Sequence, residues 1–172
     1  IAAEIKKVTE KEGKSAEYVI SDKGSTMLKG INTAGLIRIA DIGHEVARLT
    51  EKHYGTPCLE SFLAAAKQSK AKLIMTPSSY LLCPKQRNIA RFMNLPPIIA
   101  WGLGVLRNMD KLSAKEQGQF EWIKGYSDLL NELSNVFKVT EIILKKIKNE
   151  GLSYSIIEYC LAVFKQQRQG AS

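Results

Sequence analysis

The sequence predicts an α/β protein that is mostly helical, with two parallel strands among helices in residues 1–55 and an all-α region over residues 56–172. Two short runs rich in β-branched residues, over 17–21 and 36–40, are typical of buried strands. The connection between them is short and helical, which predicts parallel neighbours joined by a right-handed crossover. After Gly55 only helical periodicity recurs, and we place the domain boundary there.

Three helices are predicted around the two strands. The first covers residues 1–12, whose apolar side chains share one face. The second lies between the strands and ends at Gly35. The third begins near Asp41 and runs to about residue 52, with Val46 and Leu49 directed inward. Because two parallel strands rarely form a sheet alone, further strands outside this sequence, a partner or an edge-to-edge homo-oligomer are expected to complete it.

The region after residue 55 has apolar positions at helical spacing throughout. Pro77 and the Asn-Leu-Pro-Pro run near residue 95 interrupt the pattern, and Gly151 interrupts it again. Between these breaks the sequence predicts helices over residues 58–75, 98–109, 114–149 (one long helix or a pair) and 152–166. In the first of these helices the inward-facing positions are predicted to be Leu59, Phe62, Leu63 and Ala66. This part of the chain is therefore expected to be an all-α domain.

The charge of the chain is positive and unevenly distributed. The net charge is +8 and the isoelectric point is near 9.4. Residues 56–112 contain eight lysines and arginines against two acidic residues, whereas the flanking thirds are almost neutral. Such clustering favours contact with nucleic acid or phosphate, and the alternative is a generally basic soluble protein.

The cysteine content and the hydropathy of the sequence bear on the cellular compartment of the protein. Cys58, Cys83 and Cys160 are isolated, so the zinc and redox motifs that need paired cysteines are excluded. Three unpaired thiols suit a reducing cytoplasm, where cysteines are typically small buried apolar residues. The sequence has neither a signal peptide nor an apolar run of about 18 residues, so we expect a cytoplasmic protein without a membrane span.

Asp22 follows the first predicted strand in the segment Ser-Asp-Lys-Gly-Ser. Metal ions and substrates bind at the carboxyl edge of open α/β sheets, and enzymes that cut phosphodiesters with divalent metals need carboxylates there. Asp22 is therefore a candidate catalytic and metal-binding residue. The alternative is that Asp22 forms a turn or caps a helix.

Asp41 and His44 follow the second predicted strand. They are three residues apart at the start of a helix and can therefore share a face. Such a pair can hold a metal, or the histidine can contact a phosphate. The alternative is that Asp41 caps the helix and His44 packs against its first turn.

The densest basic element contains Lys85, Arg87 and Arg91. If the segment is helical, Arg87 and Arg91 lie one turn apart and present two guanidinium groups suited to DNA phosphates. The alternative is a solvated helix face. Two nearby aromatic residues, Phe92 and Tyr80, are suited either to base stacking or to the core.

Three segments, in order over about residues 15–100, resemble bacterial DDE transposases with a ribonuclease-H-like core: Ser-Asp-Lys-Gly-Ser-Thr-Met around Asp22, Asp-Ile-Gly-His-Glu-Val-Ala from Asp41, and Ala-Arg-Phe-Met-Asn-Leu around Arg91. The family has a five-stranded mixed sheet, a catalytic triad of two aspartates and a glutamate, and often a helical insertion after the fifth strand. The resemblance implies that the predicted strands are the fourth and fifth of that sheet. It also implies that residues 56–172 are the basic helical insertion.

The resemblance assigns roles to the candidate residues. Asp22 corresponds to the second catalytic aspartate, which would hold Mg²⁺ or Mn²⁺ for DNA strand cleavage and transfer. Lys23, Asp41 and His44 would lie near the substrate or support the metal ligands, while Lys85, Arg87 and Arg91 would bind DNA. The first aspartate and the glutamate have no counterpart in this sequence, so we expect an internal part of a transposase that is inactive alone.

Two other functions agree with the same residues. A helical DNA-binding or protein-interaction module without catalysis would explain the basic middle third and the missing carboxylates. An unrelated metal hydrolase would use Asp22, Asp41 and His44 as its ligands.

Overall fold

The computed structural model describes residues 2–13, 16–86, 91–151 and 153–169, of which residue 91 and residues 164–169 are described by their backbone alone. The chain divides into two compact units, Ile1–Arg48 and Leu49–Ser172. The division falls within the third helix, whereas the sequence placed the boundary after that helix. Across the described part of the chain, none of the helices combines the length and hydrophobicity needed to cross a membrane.

The first unit contains a two-stranded parallel sheet with helices before, between and after the strands. Its elements are α1 (Ala2–Glu12), β1 (Tyr18–Ser21), α2 (Ser25–Thr33), β2 (Ile37–Ala40) and the start of α3 (Ile42–Tyr54). Tyr18 pairs with Ile37, and the register continues to Ser21 opposite Ala40. Gly35 has a φ of 67°, a conformation that favours glycine, where the chain turns from α2 into β2. The predicted α/β class, mostly helical with a parallel strand pair, is confirmed.

One face of this sheet is exposed, although the sequence predicted buried strands. Because aligned residues of parallel strands point to the same side, alternate positions of β1 and β2 form one apolar surface. The exposed fractions are 52% for Tyr18, 61% for Ile20, 69% for Ile37 and 41% for Ile39. Among the described residues of this unit only Ile31 and Ser21 are buried. The prediction of two-sided burial is wrong within this chain, because the helices beside the strands cover one face only.

All the regular secondary structure among the described residues of the second unit is helical. Beyond the end of α3 its α-helices are α4 (Pro57–Leu73), α5 (Pro96–Arg107), α6 (Ala114–Phe120), α7 (Ser127–Glu150) and α8 (Tyr154–Gln169). Short 3-10 helices at Pro77–Leu81, Arg91–Asn94, Met109–Lys111 and Glu121–Tyr126 join them. The prediction of one long helix or a pair between residues 114 and 149 therefore resolves as two α-helices separated by a 3-10 turn.

Capping residues and apolar spacing explain the helices of this unit. The Thr56 hydroxyl accepts a hydrogen bond from the Leu59 N–H at 3.5 Å, and Pro57 provides the first residue of α4. Gly151 ends α7 with a φ of 79°. The four α4 positions predicted to face inward are all buried: Leu59, Phe62, Leu63 and Ala66.

Aromatic rings fill the centre of the second unit. Rings of α4, α5, α6 and the following 3-10 turn lie with centroids 5.6–6.5 Å apart: Phe62, Trp101, Phe120, Trp122 and Tyr126. Gly102 lets α5 approach α7, because a Cβ at this position would lie 3.0 Å from Leu130 Cδ1. The Tyr54 hydroxyl donates to Glu132 Oε1 at 2.9 Å, and burial together with this bond raises the pKa of Tyr54 to about 12.

One prediction of an inward-facing residue is wrong, and one cysteine departs from the burial that is typical of free thiols. Leu49 on α3 is 56% exposed. Cys58 in the first turn of α4 is exposed, whereas Cys83 is buried and Cys160 is half-buried. Both exposed residues lie on the outer side of their helices, where amino-acid type alone does not report the direction of the side chain.

Candidate functional site at the carboxyl edge of the strands

Asp22 and Asp41 leave two neighbouring strands at the same edge of the sheet. The last paired residues are Ser21 and Ala40. The Asp41 N–H donates to the Ser21 carbonyl oxygen at 3.0 Å, so the backbone contact continues one step beyond the ladder. This juxtaposition follows from the parallel order of the strands and brings two carboxylate residues to the carboxyl edge, where α/β proteins bind ligands.

Each aspartate is held by a glycine two residues later. Asp22 Oδ1 accepts a hydrogen bond from the Gly24 N–H at 3.0 Å, and Asp41 Oδ1 accepts one from the Gly43 N–H at 2.8 Å. A Cβ on Gly24 would lie 3.1 Å from Asp22 Oδ1, and a Cβ on Gly43 would lie 3.2 Å from Asp41 Oδ1. The absence of a side chain at both glycines therefore permits the close turn that orients each carboxylate.

The Asp41 carboxylate makes more hydrogen bonds than the Asp22 carboxylate does. It caps α3, because its Oδ1 also accepts from the His44 N–H at 3.4 Å, and its Oδ2 lies 3.0 Å from His44 Nδ1. The hydrogen bond to His44 lowers the pKa of Asp41. The helix-cap alternative for Asp41 is therefore correct. Asp22 is exposed, and within the described residues its Oδ2 accepts no hydrogen bond, which leaves that oxygen accessible to a cation.

Lys23 forms an ion pair at this edge. Its Nζ lies 3.0 Å from Glu45 Oε1, while Arg48 donates to Glu45 Oε2 through Nε at 3.1 Å and Nη2 at 3.0 Å. The hydrogen bond from Lys23, followed by that from Arg48, lowers the pKa of Glu45. Glu45 is not among the site residues predicted from the sequence, although its position three residues before Arg48 on a helix is a recognisable ion-pair spacing.

Arg38 holds the backbone that carries Asp22. Its Nη2 donates to the Ser21 carbonyl oxygen at 3.0 Å, and its Nε lies 3.2 Å from Ser21 Oγ and 3.3 Å from the Asp22 carbonyl oxygen. The Ser21 hydroxyl also donates to the Asp22 carbonyl at 3.0 Å. Sequence reasoning missed Arg38 because its reach across to β1 depends on the strand register.

The described residues do not contain a complete metal centre. No group of three or more histidine, cysteine, aspartate or glutamate side chains is arranged among them to hold a metal ion. Asp22 has the oxygen donor that Mg²⁺ and Mn²⁺ prefer, together with an accessible oxygen. The edge therefore fits one ligand of a carboxylate metal site and lacks the others.

The predicted DNA-binding residues lie in the second unit. Lys85 is exposed in an irregular stretch over residues 82–86, Arg87 lies outside the described residues, and Arg91 begins a 3-10 helix. The described residues around Lys85 form no α-helix, so the predicted helical presentation of two guanidinium groups stays a prediction. Phe92 is only 4% exposed and belongs to the core, whereas Tyr80 is 71% exposed.

No family model, curated protein or solved structure matches this chain. The geometry at the edge of the sheet and the chemistry of its side chains therefore carry the interpretation of the site.

Proposed function

We propose that this chain is part of a DDE transposase, in which Asp22 is one of three carboxylates that hold the divalent metal ions for DNA strand cleavage and transfer. The observation that carries this proposal is the exposed Asp22 carboxylate at the carboxyl edge of a parallel strand pair, with Oδ1 fixed by Gly24 and Oδ2 accessible. When bound, two divalent ions would activate a water or 3′-hydroxyl and stabilise the leaving oxygen.

The incomplete first unit supports a larger, ribonuclease-H-like core. Parallel sheets are normally covered on both faces, yet Tyr18, Ile20, Ile37 and Ile39 are exposed on one side. Of the large apolar residues described in this unit, Ile31 alone is buried. A sheet with more strands and a second helical layer would remove this apolar surface from water, a favourable change of about 25 cal/mol per Å².

The neighbours of Asp22 would support its role. Lys23 is close enough in sequence to reach a phosphate beside a metal held by Asp22, and Glu45 restrains its ammonium group. Asp41 orients His44 at the first turn of α3, where the ring could contact the DNA backbone. The basic region over residues 56–112 would attract the DNA electrostatically.

Strand cleavage by the full-length gene product tests the proposal. The purified protein is mixed with DNA carrying the ends of its own element, in Mg²⁺, Mn²⁺, Ca²⁺ or EDTA. We expect nicked or joined products in Mg²⁺ and Mn²⁺ and none in EDTA. The full coding sequence should also supply an aspartate at the end of an upstream strand and a glutamate on a downstream helix. Metal-independent cleavage, or a gene without those carboxylates, would contradict the proposal.

A helical DNA-binding module without catalysis is the second candidate. It is favoured by the lack of a three-ligand metal cluster among the described residues and by the positive charge of residues 56–112. The two candidates differ in one outcome of the same assay: the module binds DNA with a strong salt dependence, but cleaves none in any metal.

A further inference from the structure

Tyr80 has an exposed ring and an anchored hydroxyl. It lies in the 3-10 helix Pro77–Leu81, and 71% of the residue is exposed. Its hydroxyl donates to Glu116 Oε1 at 2.9 Å. An exposed aromatic side chain usually samples several rotamers, but a fixed hydroxyl restricts the ring to one orientation.

Glu116 is itself rigidly held. It is buried at 8% exposure, and its Oε1 also accepts from the Ser78 hydroxyl at 2.7 Å. Its Oε2 accepts from the Ser113 hydroxyl at 2.7 Å and from the Ser113 N–H at 3.0 Å, in the capping box of α6. Tyr80 is thus tied through a buried carboxylate to the beginning of a helix.

The chain beyond Tyr80 is also fixed. Trp101 Nε1 donates to the Leu81 carbonyl oxygen at 2.9 Å, and Lys70 Nζ donates to the Cys83 carbonyl oxygen at 2.8 Å. These bonds provide hydrogen-bond donors for one carbonyl oxygen at the end of the 3-10 helix and one in the irregular stretch that follows. The backbone under the exposed ring is therefore held from α4 and α5.

The exposed residues that precede Tyr80 in the sequence are apolar or basic. The turn that joins α4 to the 3-10 helix exposes Ile74 at 55% and Met75 at 93%. Lys67 and Lys72 are exposed on the last turns of α4, which contacts the 3-10 helix. Tyr80 thus follows closely, in the sequence, on a helix that exposes lysines. Aromatic rings and lysines together are the combination by which proteins bind single-stranded nucleic acid, with stacking to the bases and ion pairs to the phosphates.

We propose that the Tyr80 ring is a stacking platform for an unpaired nucleobase of single-stranded DNA. This inference rests on the proposed function, since that function supplies the DNA. Bases within a duplex are covered by their neighbours, so a single exposed ring can stack only on a base that is unpaired or displaced. Glu116 restrains the ring before binding and thereby reduces the conformational entropy lost on contact.

Fluorescence anisotropy with a short single-stranded oligonucleotide and with its duplex tests this platform. In Tyr80→Leu the apolar bulk remains and the aromatic face is lost, so affinity for the single strand should fall about tenfold with little change for the duplex. Tyr80→Trp should restore affinity. Tyr80→Phe keeps the ring but loses the bond to Glu116, so a loss of about two- to threefold is expected. Tyr154→Leu is the matched control, because Tyr154 is 89% exposed on α8.

An oligonucleotide of abasic sites provides the second control, and wild type and Tyr80→Leu should bind it equally. If Tyr80→Leu binds the normal single strand as wild type does, or if Tyr154→Leu loses as much affinity, the stacking platform is wrong while the proposed function stands. The same conclusion follows if wild type binds the duplex and not the single strand. If wild type binds neither DNA, both proposals fail.

Discussion

Asp22 Oδ1 accepts a hydrogen bond from the Gly24 N–H at 3.0 Å, and the same two-residue arrangement recurs between Asp41 and Gly43 at 2.8 Å. Both turns lie where a strand of the parallel pair ends. The difference between the two aspartates lies in the other carboxylate oxygen, which Asp41 shares with His44. Asp41 is therefore a helix cap, and the proposed function assigns the metal to Asp22 because its second carboxylate oxygen accepts no hydrogen bond from the described residues.

The space at Gly24 leads to a prediction about catalysis. In Gly24→Ala the new Cβ would lie 3.1 Å from Asp22 Oδ1, so the carboxylate must move by a few tenths of an ångström. Because catalysis depends on the placement of reacting groups, we expect kcat for strand cleavage to fall about tenfold with DNA affinity unchanged. Gly118→Ala is the control, since no atom lies within 4 Å of its added Cβ. Equal rates for the two variants would contradict the proposed role of the turn.

We expect the hydrogen bonds of Arg38 to contribute more to the stability of the end of β1 than the ion pair of Arg48 with Glu45 contributes to the stability of α3. Arg38 donates to backbone oxygens of Ser21 and Asp22, whereas Arg48 pairs with Glu45 at the surface. Bonds from a charged donor contribute about 1.5–3 kcal/mol, and exposed ion pairs contribute less than about 1 kcal/mol. Native-state hydrogen exchange at the Asp41 N–H, which shares the Ser21 acceptor, should be about tenfold faster in Arg38→Met and little changed in Arg48→Met.

Protonation of Glu116 is expected to lower the stability of the folded protein in acid. Hydrogen bonds from the Ser113 and Ser78 hydroxyls, then from the Ser113 N–H and the Tyr80 hydroxyl, lower its pKa to about 2. A carboxylate whose pKa is lowered on folding contributes stability that is complete above its unfolded pKa of 4.5 and is lost as the pH falls toward about 2. Thermal melts of wild type should therefore lose more stability across this window than melts of Glu116→Gln.

Two features make the Glu116 experiment specific. Glu116→Gln should already melt at a lower temperature at pH 7, because it replaces charge-assisted hydrogen bonds by weaker ones. Glu141→Gln is the control, since Glu141 is exposed on α7. Identical pH profiles for wild type and Glu116→Gln would show that the buried carboxylate does not titrate with folding.

The glycines of α5 provide a matched test of helix packing. A Cβ on Gly104 meets no atom within 4 Å, so Gly104→Ala should stabilise the protein by about 0.5–1 kcal/mol through helix propensity. A Cβ on Gly102 would lie 3.0 Å from Leu130 Cδ1 and 3.4 Å from Phe62 Cζ. Both neighbours are fully buried, so crowding should cancel or exceed the same gain. Urea unfolding monitored by tryptophan fluorescence would compare the two, and equal stabilisation would contradict the close approach of α5 to α7.

The features that depend on interactions between residues close in the sequence could be predicted from local sequence patterns. The strands, their parallel order and the inward side of α4 follow from periodicity and from short connections, and Leu59 and Phe62 are buried as expected. Asp41 as a helix cap was one of two alternatives, and its hydrogen bonds to Gly43 and His44 confirm the cap, while a role beside a metal or phosphate stays a prediction.

Features that depend on tertiary contacts were not predictable. Periodicity cannot show that Phe92 enters the core while Tyr80 stays exposed, because neither lies in an α-helix. The contacts of Arg38 with Ser21 depend on the strand register, which the sequence left open. The exposed apolar face of the sheet likewise follows from which helices pack beside it.

The central claim is that Asp22 is a metal ligand and Asp41 a supporting residue. The most direct measurement is the rate of Mg²⁺-dependent strand cleavage by the full-length protein carrying Asp22→Asn, compared with Asp41→Asn at equal DNA occupancy. We predict that Asp22→Asn abolishes cleavage without loss of DNA binding, whereas Asp41→Asn retains activity reduced by about 10- to 100-fold. Cleavage by Asp22→Asn at the wild-type rate, or a complete loss confined to Asp41→Asn, would contradict this assignment.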